Sequence, residues 1–143
     1  MPERRQRASE IPVSTTSNAL ISIVDDDESV REAVEGLIES LGFRVSAFSC
    51  AMDFLASPAV ADTSCMIADI QMPQMSGLEL YQRLAAQGRG IPTILITAYP
   101  NDSVRARALA DGVIGYLIKP FNDDALIECV RSALRGAARG AGD

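Results

Sequence analysis

At 143 residues with 48% hydrophobic side chains, the chain has the size of one domain with room for a substantial core. A formal charge of −6 argues against a nucleic-acid-binding surface, which needs clustered Lys and Arg to neutralise phosphates. No apolar run approaches the ~18 residues of a membrane span, the N-terminus lacks the apolar stretch of a signal peptide, and Cys50, Cys65 and Cys129 show no paired spacing, so the expectation is a soluble cytoplasmic protein with reduced cysteines.

Residues 1–18 are polar and without periodicity, and are expected to form a flexible arm. An apolar run at 20–24 predicts a buried strand that ends in Asp25-Asp26-Asp27. Val30, Ala33, Val34, Leu37, Ile38 and Leu41 then form a stripe at helical spacing, closed by Gly42. Residues 43–48 alternate as a half-exposed edge strand does, and a short helix is expected at 50–56. The run at 65–68 is a second buried strand, ending at Asp69. Ser76-Gly77-Leu78-Glu79 has the form of a capping box and starts a helix through about Ala86. Strands at 93–96 and 113–118 end in Thr97 and in Lys119-Pro120, with a helix at 101–110 between them. Asn122 can cap a last helix, whose stripe is Leu126, Cys129, Val130, Ala133 and Leu134. The domain is expected over 19–135, and 136–143 resembles a flexible tail.

Repeated βα units imply an α/β fold, a doubly wound five-stranded parallel sheet of (βα)5 type. The usual strand order is 2-1-3-4-5, with ligands outside the carboxyl ends of the strands, at the switch point between strands 1 and 3. Asp25, Asp26, Asp69, Thr97 and Lys119 all fall at that edge. Lys119 is the only lysine in the chain, which suits a compact point charge rather than a solubilising group. Three carboxylates at one edge repel unless a cation resolves them, and an all-oxygen set suits Mg²⁺; the chain has no histidine to offer a softer ligand. With Mg²⁺ held by two of the acids, Asp69 stays free to attack phosphorus and form an aspartyl phosphate, and Lys119 and the Thr97 hydroxyl bind the phosphoryl oxygens. The loop from Ile70 to Gly77 would curve around the site, offering a carbonyl to the metal and amides to phosphate. Bland readings compete: the acids after strand 1 favour a helix N-terminus, Thr97 suits a strand end, and Tyr116 is an ordinary sheet aromatic.

Ile-Val-Asp25-Asp26-Asp27-Glu, Asp69-Ile-Gln-Met-Pro-Gln-Met-Ser-Gly77, Ile-Leu-Ile-Thr97-Ala98 and Lys119-Pro120-Phe121 together resemble a receiver domain of a two-component response regulator, of the FixJ type, from about Ala19 to Leu134. The resemblance implies a flavodoxin-like fold shared with the chemotaxis receiver CheY. It implies Asp69 as phosphoacceptor, a Mg²⁺ site of Asp25, Asp26, Asp69 and the Gln71 carbonyl, phosphoryl contacts from Lys119 and Thr97, a switch in which Tyr116 turns inward when Thr97 moves toward the phosphate, and a cis bond before Pro120. It also implies that the side chains of Gln71 and Tyr99 govern the phosphate lifetime. The partner would be a histidine kinase or phosphotransfer protein, since a chain without histidine cannot supply the phosphohistidine; docking is expected near Ser29, Arg31 and Glu32. Catalysis would be confined to the protein's own phosphorylation and dephosphorylation. The output would be a changed surface on the fourth helix, fifth strand and fifth helix, where Asp102, Arg105 and Arg107 face Glu128, Arg131 and Arg135 in a pattern suited to a phosphorylation-dependent homodimer or a downstream protein. A single-domain regulator and one receiver of a larger regulator are both open. Two other readings are a Mg²⁺-dependent phosphatase with an aspartate nucleophile, disfavoured because Gln71 stands where its second Asp is needed, and a non-phosphorylated interaction module of the same fold.

Overall fold

The computed structural model describes residues 18–142, with side chains through residue 136. The arm expected over 1–18 lies, except for Asn18, outside the described residues. Strand β1 is Leu20–Val24, β2 Arg44–Phe48, β3 Thr63–Asp69, β4 Thr93–Thr97 and β5 Gly115–Ile118. All neighbouring pairs are parallel and the order is β2-β1-β3-β4-β5. This is the doubly wound arrangement that the alternating pattern predicts.

The apolar runs are continuous because the sheet is covered on both faces. Ile21, Ile23, Cys65, Ile67, Ile94 and Ile96 point to one face. There they meet Val34 and Ile38 of helix α1 (Glu28–Ser40) and Leu126, Val130 and Ala133 of helix α6 (Asp123–Gly142). Val24, Met66, Ala68 and Leu95 point to the other face. It is covered by helices α2 (Ala51–Leu55), α3 (Ala59–Asp62), α4 (Gly77–Ala86) and α5 (Asp102–Asp111), through Phe54, Val60, Leu80, Leu84 and Ala108.

Several boundaries differ from the sequence reading, each for a local reason. The helix expected at 50–56 stops at Leu55, and a second short turn follows Pro58, with the Ser57 hydroxyl just before it accepting from the Ala59 amide at 3.0 Å. The helix expected fourth is therefore α5. Strand β5 starts at Gly115 rather than 113, because Gly112 (φ 106) ends α5 in a left-handed cap and the Val113 amide is spent on the Ala108 carbonyl. Helix α6 runs to Gly142, across the segment read as a flexible tail. In α1, Ala33 is exposed rather than part of the core stripe. The three cysteines are free; Cys65 is buried, whereas Cys50 and Cys129 are half-buried.

Candidate functional site

Strands β1, β3, β4 and β5 all end at one edge of the sheet, and each end carries a polar side chain. Asp25 follows β1 directly and is fixed there by its amide, which donates to the Phe48 carbonyl at 3.0 Å. Its carboxylate is fully buried. Oδ1 accepts from the Asp27 amide at 2.8 Å, while Oδ2 has no hydrogen-bond partner and lies 3.2 Å from Lys119 Nζ. Asp27 is spent on structure, capping α1 through the Val30 amide. Arg31, expected to be exposed for a partner, folds back instead, and its Nη1 donates to the Asp25 carbonyl at 2.8 Å. Ser29, Asp26 and Glu32 are exposed.

Asp69 closes β3 and is 3% exposed. Its Oδ2 lies 3.5 Å from Lys119 Nζ, and its Oδ1 accepts a long bond from the Gln71 amide at 3.4 Å. Burial first, and then the neighbouring Asp25 charge, push its acid up to about 6, although Lys119 and the Gln71 amide pull the other way. Lys119 is raised from its ordinary value: burial opposes its charge, but the carboxylates of Asp25 and Asp69 outweigh that cost. One lysine therefore serves two buried acids. Asp25, Asp26 and Asp69 offer oxygens that all lie within 4.8 Å of one another. A hard cation fits this set: the donors are all oxygen, the charge exceeds what Lys119 neutralises, and a buried oxygen of Asp25 lacks a hydrogen-bond donor.

Thr97 ends β4 and is fully buried. Its hydroxyl donates to Gln71 Oε1 at 2.6 Å and accepts from the Tyr99 amide at 2.9 Å. Lys119 is placed one residue past β5 by its amide, which donates to the Thr97 carbonyl at 2.8 Å, and the Lys119–Pro120 peptide is cis. Tyr116 lies half-buried in β5, and its hydroxyl accepts from the amide of Asn101, the N-cap of α5.

The loop after β3 brings in two contacts that the sequence did not disclose. Gly77 begins α4 against the end of β3, and a Cβ there would lie 2.5 Å from the Asp69 carbonyl oxygen. A glycine at the first helical position, where almost any other residue propagates a helix better, was the available signal. The second is the Gln71 side chain, which spans from β3 to β4; only side-chain direction discloses that reach. Beside the site, a groove of about 450 Å³ runs between α1 and the β5–α6 connection, lined by Val30, Ala33, Leu37, Ala98, Pro120 and Phe121, with Asp27, Lys119 and Asp123 also on its wall.

A buried carboxylate with a raised pKa, a lysine facing it, a hydroxyl at the end of the neighbouring strand, and a cation-ready pair of acids can receive an electrophilic phosphorus and neutralise the charge that develops. The chain matches the family described as response regulator receiver domain over residues 21–131. It is 38% identical over 117 residues to response regulator protein TmoT of Ectopseudomonas mendocina, covering 82% of this chain and 53% of TmoT. It is 36% identical over 121 residues to the transcriptional regulatory protein FixJ of Azorhizobium caulinodans, covering 84% and 57%. The chain thus spans about half the length of the curated relatives it matches. Among solved structures, response regulator StyR superposes with a TM-score of 0.81 at 38% identity, covering 87% of this chain and 63% of that one. The structure titled FixJ-N gives 0.74 at 32%, covering 82% and 94%.

Proposed function

The chain belongs to the response regulator receiver domain family of two-component signalling, and on that premise we propose that it accepts a phosphoryl group from a phosphohistidine of a sensor kinase or phosphotransfer protein onto Asp69. The observation that carries this reading is Asp69 at the end of β3, 3% exposed and 3.5 Å from the lone lysine. A carboxylate oxygen of Asp69 attacks phosphorus; the donor's N–P bond breaks and its electron pair leaves with the imidazole. Lys119 faces the oxygens of the arriving group, and the Thr97 hydroxyl moves to bind them. Asp25, Asp26, Asp69 and the Gln71 carbonyl are the residues to hold Mg²⁺, which when bound neutralises phosphoryl charge. The chemistry is confined to this chain's own carboxylate. Hydrolysis of the acyl phosphate returns the carboxylate, so the modification is reversible.

The donor protein docks, in this account, along the groove between α1 and the β5–α6 connection, which opens beside Lys119 and combines an apolar floor with acidic walls. Residues 19–135 act as the receiver unit, and the output is read on α5, β5 and α6. That face exposes Leu109 and Ile118, and its charges are partly paired within the chain: Arg107 with Asp111 at 3.8 Å and Arg135 with Glu128 at 3.4 Å. Arg105, Arg131 and Asp102, which have no ion-pair partner among the described residues, are offered to a second copy or a downstream protein. The direct test is incubation of wild type and Asp69→Asn with acetyl phosphate and Mg²⁺, followed by intact mass. Wild type gains one phosphoryl group and Asp69→Asn none; equal labelling of the two overturns the assignment.

A further inference from the structure

The Thr97 hydroxyl carries one proton and two lone pairs. One lone pair is taken by the Tyr99 amide at 2.9 Å, and the proton goes to Gln71 Oε1 at 2.6 Å, a short contact for a neutral pair. Thr97 is fully buried, so water does not replace that acceptor; Gln71 is exposed, so water readily replaces its donor. The same glutamine reaches Asp69 through its backbone amide. It therefore bridges the residue proposed to be phosphorylated and the hydroxyl expected to move toward the phosphoryl group.

We propose that the Gln71 side chain is the restraint against which the phosphorylation switch works: its carbonyl oxygen holds the Thr97 proton at rest, and a phosphoryl oxygen on Asp69 must take that proton away. The inference rests on Asp69 as phosphoacceptor and adds a positioning residue to that site. Removal of the Gln71 acceptor leaves a buried donor unsatisfied at rest, which raises the resting state relative to one in which Thr97 faces the phosphoryl group. Gln71 thus sets how much of the phosphoryl group's binding is spent on moving Thr97. A side chain of equal length without an acceptor makes the switch easier to throw.

The test is a titration with beryllofluoride, a phosphoryl mimic that binds a carboxylate, in the presence of Mg²⁺, followed through the Tyr99 amide resonance. Gln71→Met is compared with wild type, and the same pair is repeated in a Thr97→Val background, which keeps the shape and removes the proton. Gln71→Met is expected to tighten beryllofluoride binding about fivefold, equivalent to roughly one net hydrogen bond, and to leave it unchanged in Thr97→Val. No change or weaker binding with Thr97 present, or the same factor in both backgrounds, overturns the restraint. If wild type binds no beryllofluoride, or binds it equally as Asp69→Asn, the reading of Asp69 has failed and this inference falls with it; normal wild-type binding without the Gln71 effect overturns the inference alone.

Discussion

At the scale of single residues, the site is built around charge that the fold makes costly. Burial, and then the Asp25 charge, push the pKa of Asp69 up to about 6 against an ordinary 3.8. A raised acid binds its proton more tightly folded than unfolded, so its contribution to stability is fully present below about 3.8 and is lost as pH rises through about 6. In metal-free protein, stability is expected to fall across that window. Asp69→Asn lacks this loss and should be more stable than wild type at pH 7 by roughly 1–2 kcal/mol, a figure discounted for solvent at the mouth of the site. Thermal melts at pH 4 and pH 7 in chelator check it; a variant no more stable than wild type at pH 7 contradicts the account. Asp25, Asp69, Thr97 and Lys119 were legible in the sequence because each ends an apolar run, and the topology of a parallel sheet gathers such ends. The bonds of the Gln71 side chain to Thr97 and of Arg31 to the Asp25 carbonyl were not, because such contacts depend on rotamers that spacing does not encode. Arg31 reads as an exposed helix residue until its guanidinium is seen on the Asp25 carbonyl.

At the scale of elements, the site depends on how closely α4 starts against β3. The Ser76 capping box is satisfied in both directions, Ser76 accepting from the Glu79 amide at 3.0 Å and Glu79 from the Ser76 amide at 2.8 Å. That cap fixes where the helix begins, and Gly77 lets it begin beside the Asp69 carbonyl. Gly77→Ala places a methyl 2.5 Å from that oxygen, so either α4 or the end of β3 has to shift. The expected cost is about 1–3 kcal/mol from overpacking, with slower labelling by acetyl phosphate because Asp69 moves with its carbonyl. Urea unfolding and the labelling rate measure the two effects; wild-type values for both would show that the close approach is slack. The capping box was readable from Ser-x-x-Glu alone. The division of the region after β2 into α2 and α3 was not, since two turns of four or five residues carry too little periodicity to separate from one helix.

At the scale of the whole molecule, two apolar cores grip one sheet, and the acids sit where its strands end. The order of the strands was predictable because right-handed crossovers leave few alternatives. The extent of α6 was not, because its last turns are rich in glycine, which reads as linker. Since a cation should relieve repulsion among Asp25, Asp26 and Asp69 only in the folded state, Mg²⁺ is expected to raise the melting temperature by linkage. At about 100 times its dissociation constant the gain should be roughly 2.7 kcal/mol, and Asp26→Ala should lose most of it while remaining folded, since Asp26 is exposed. Melts against Mg²⁺ concentration decide this, and an Asp25→Asn, Asp26→Ala double variant with unchanged Mg²⁺ dependence would place the cation elsewhere.

Everything proposed for this site turns on one carboxylate, Asp69, carrying the phosphoryl group. An acyl phosphate is reduced by borohydride, and an aspartate so trapped becomes homoserine, which marks its position permanently. After phosphorylation with acetyl phosphate and Mg²⁺, trapping and peptide mass analysis should find homoserine at Asp69 and aspartate unchanged at Asp25 and Asp26. Homoserine at either of those two, or spread among the three, would contradict it.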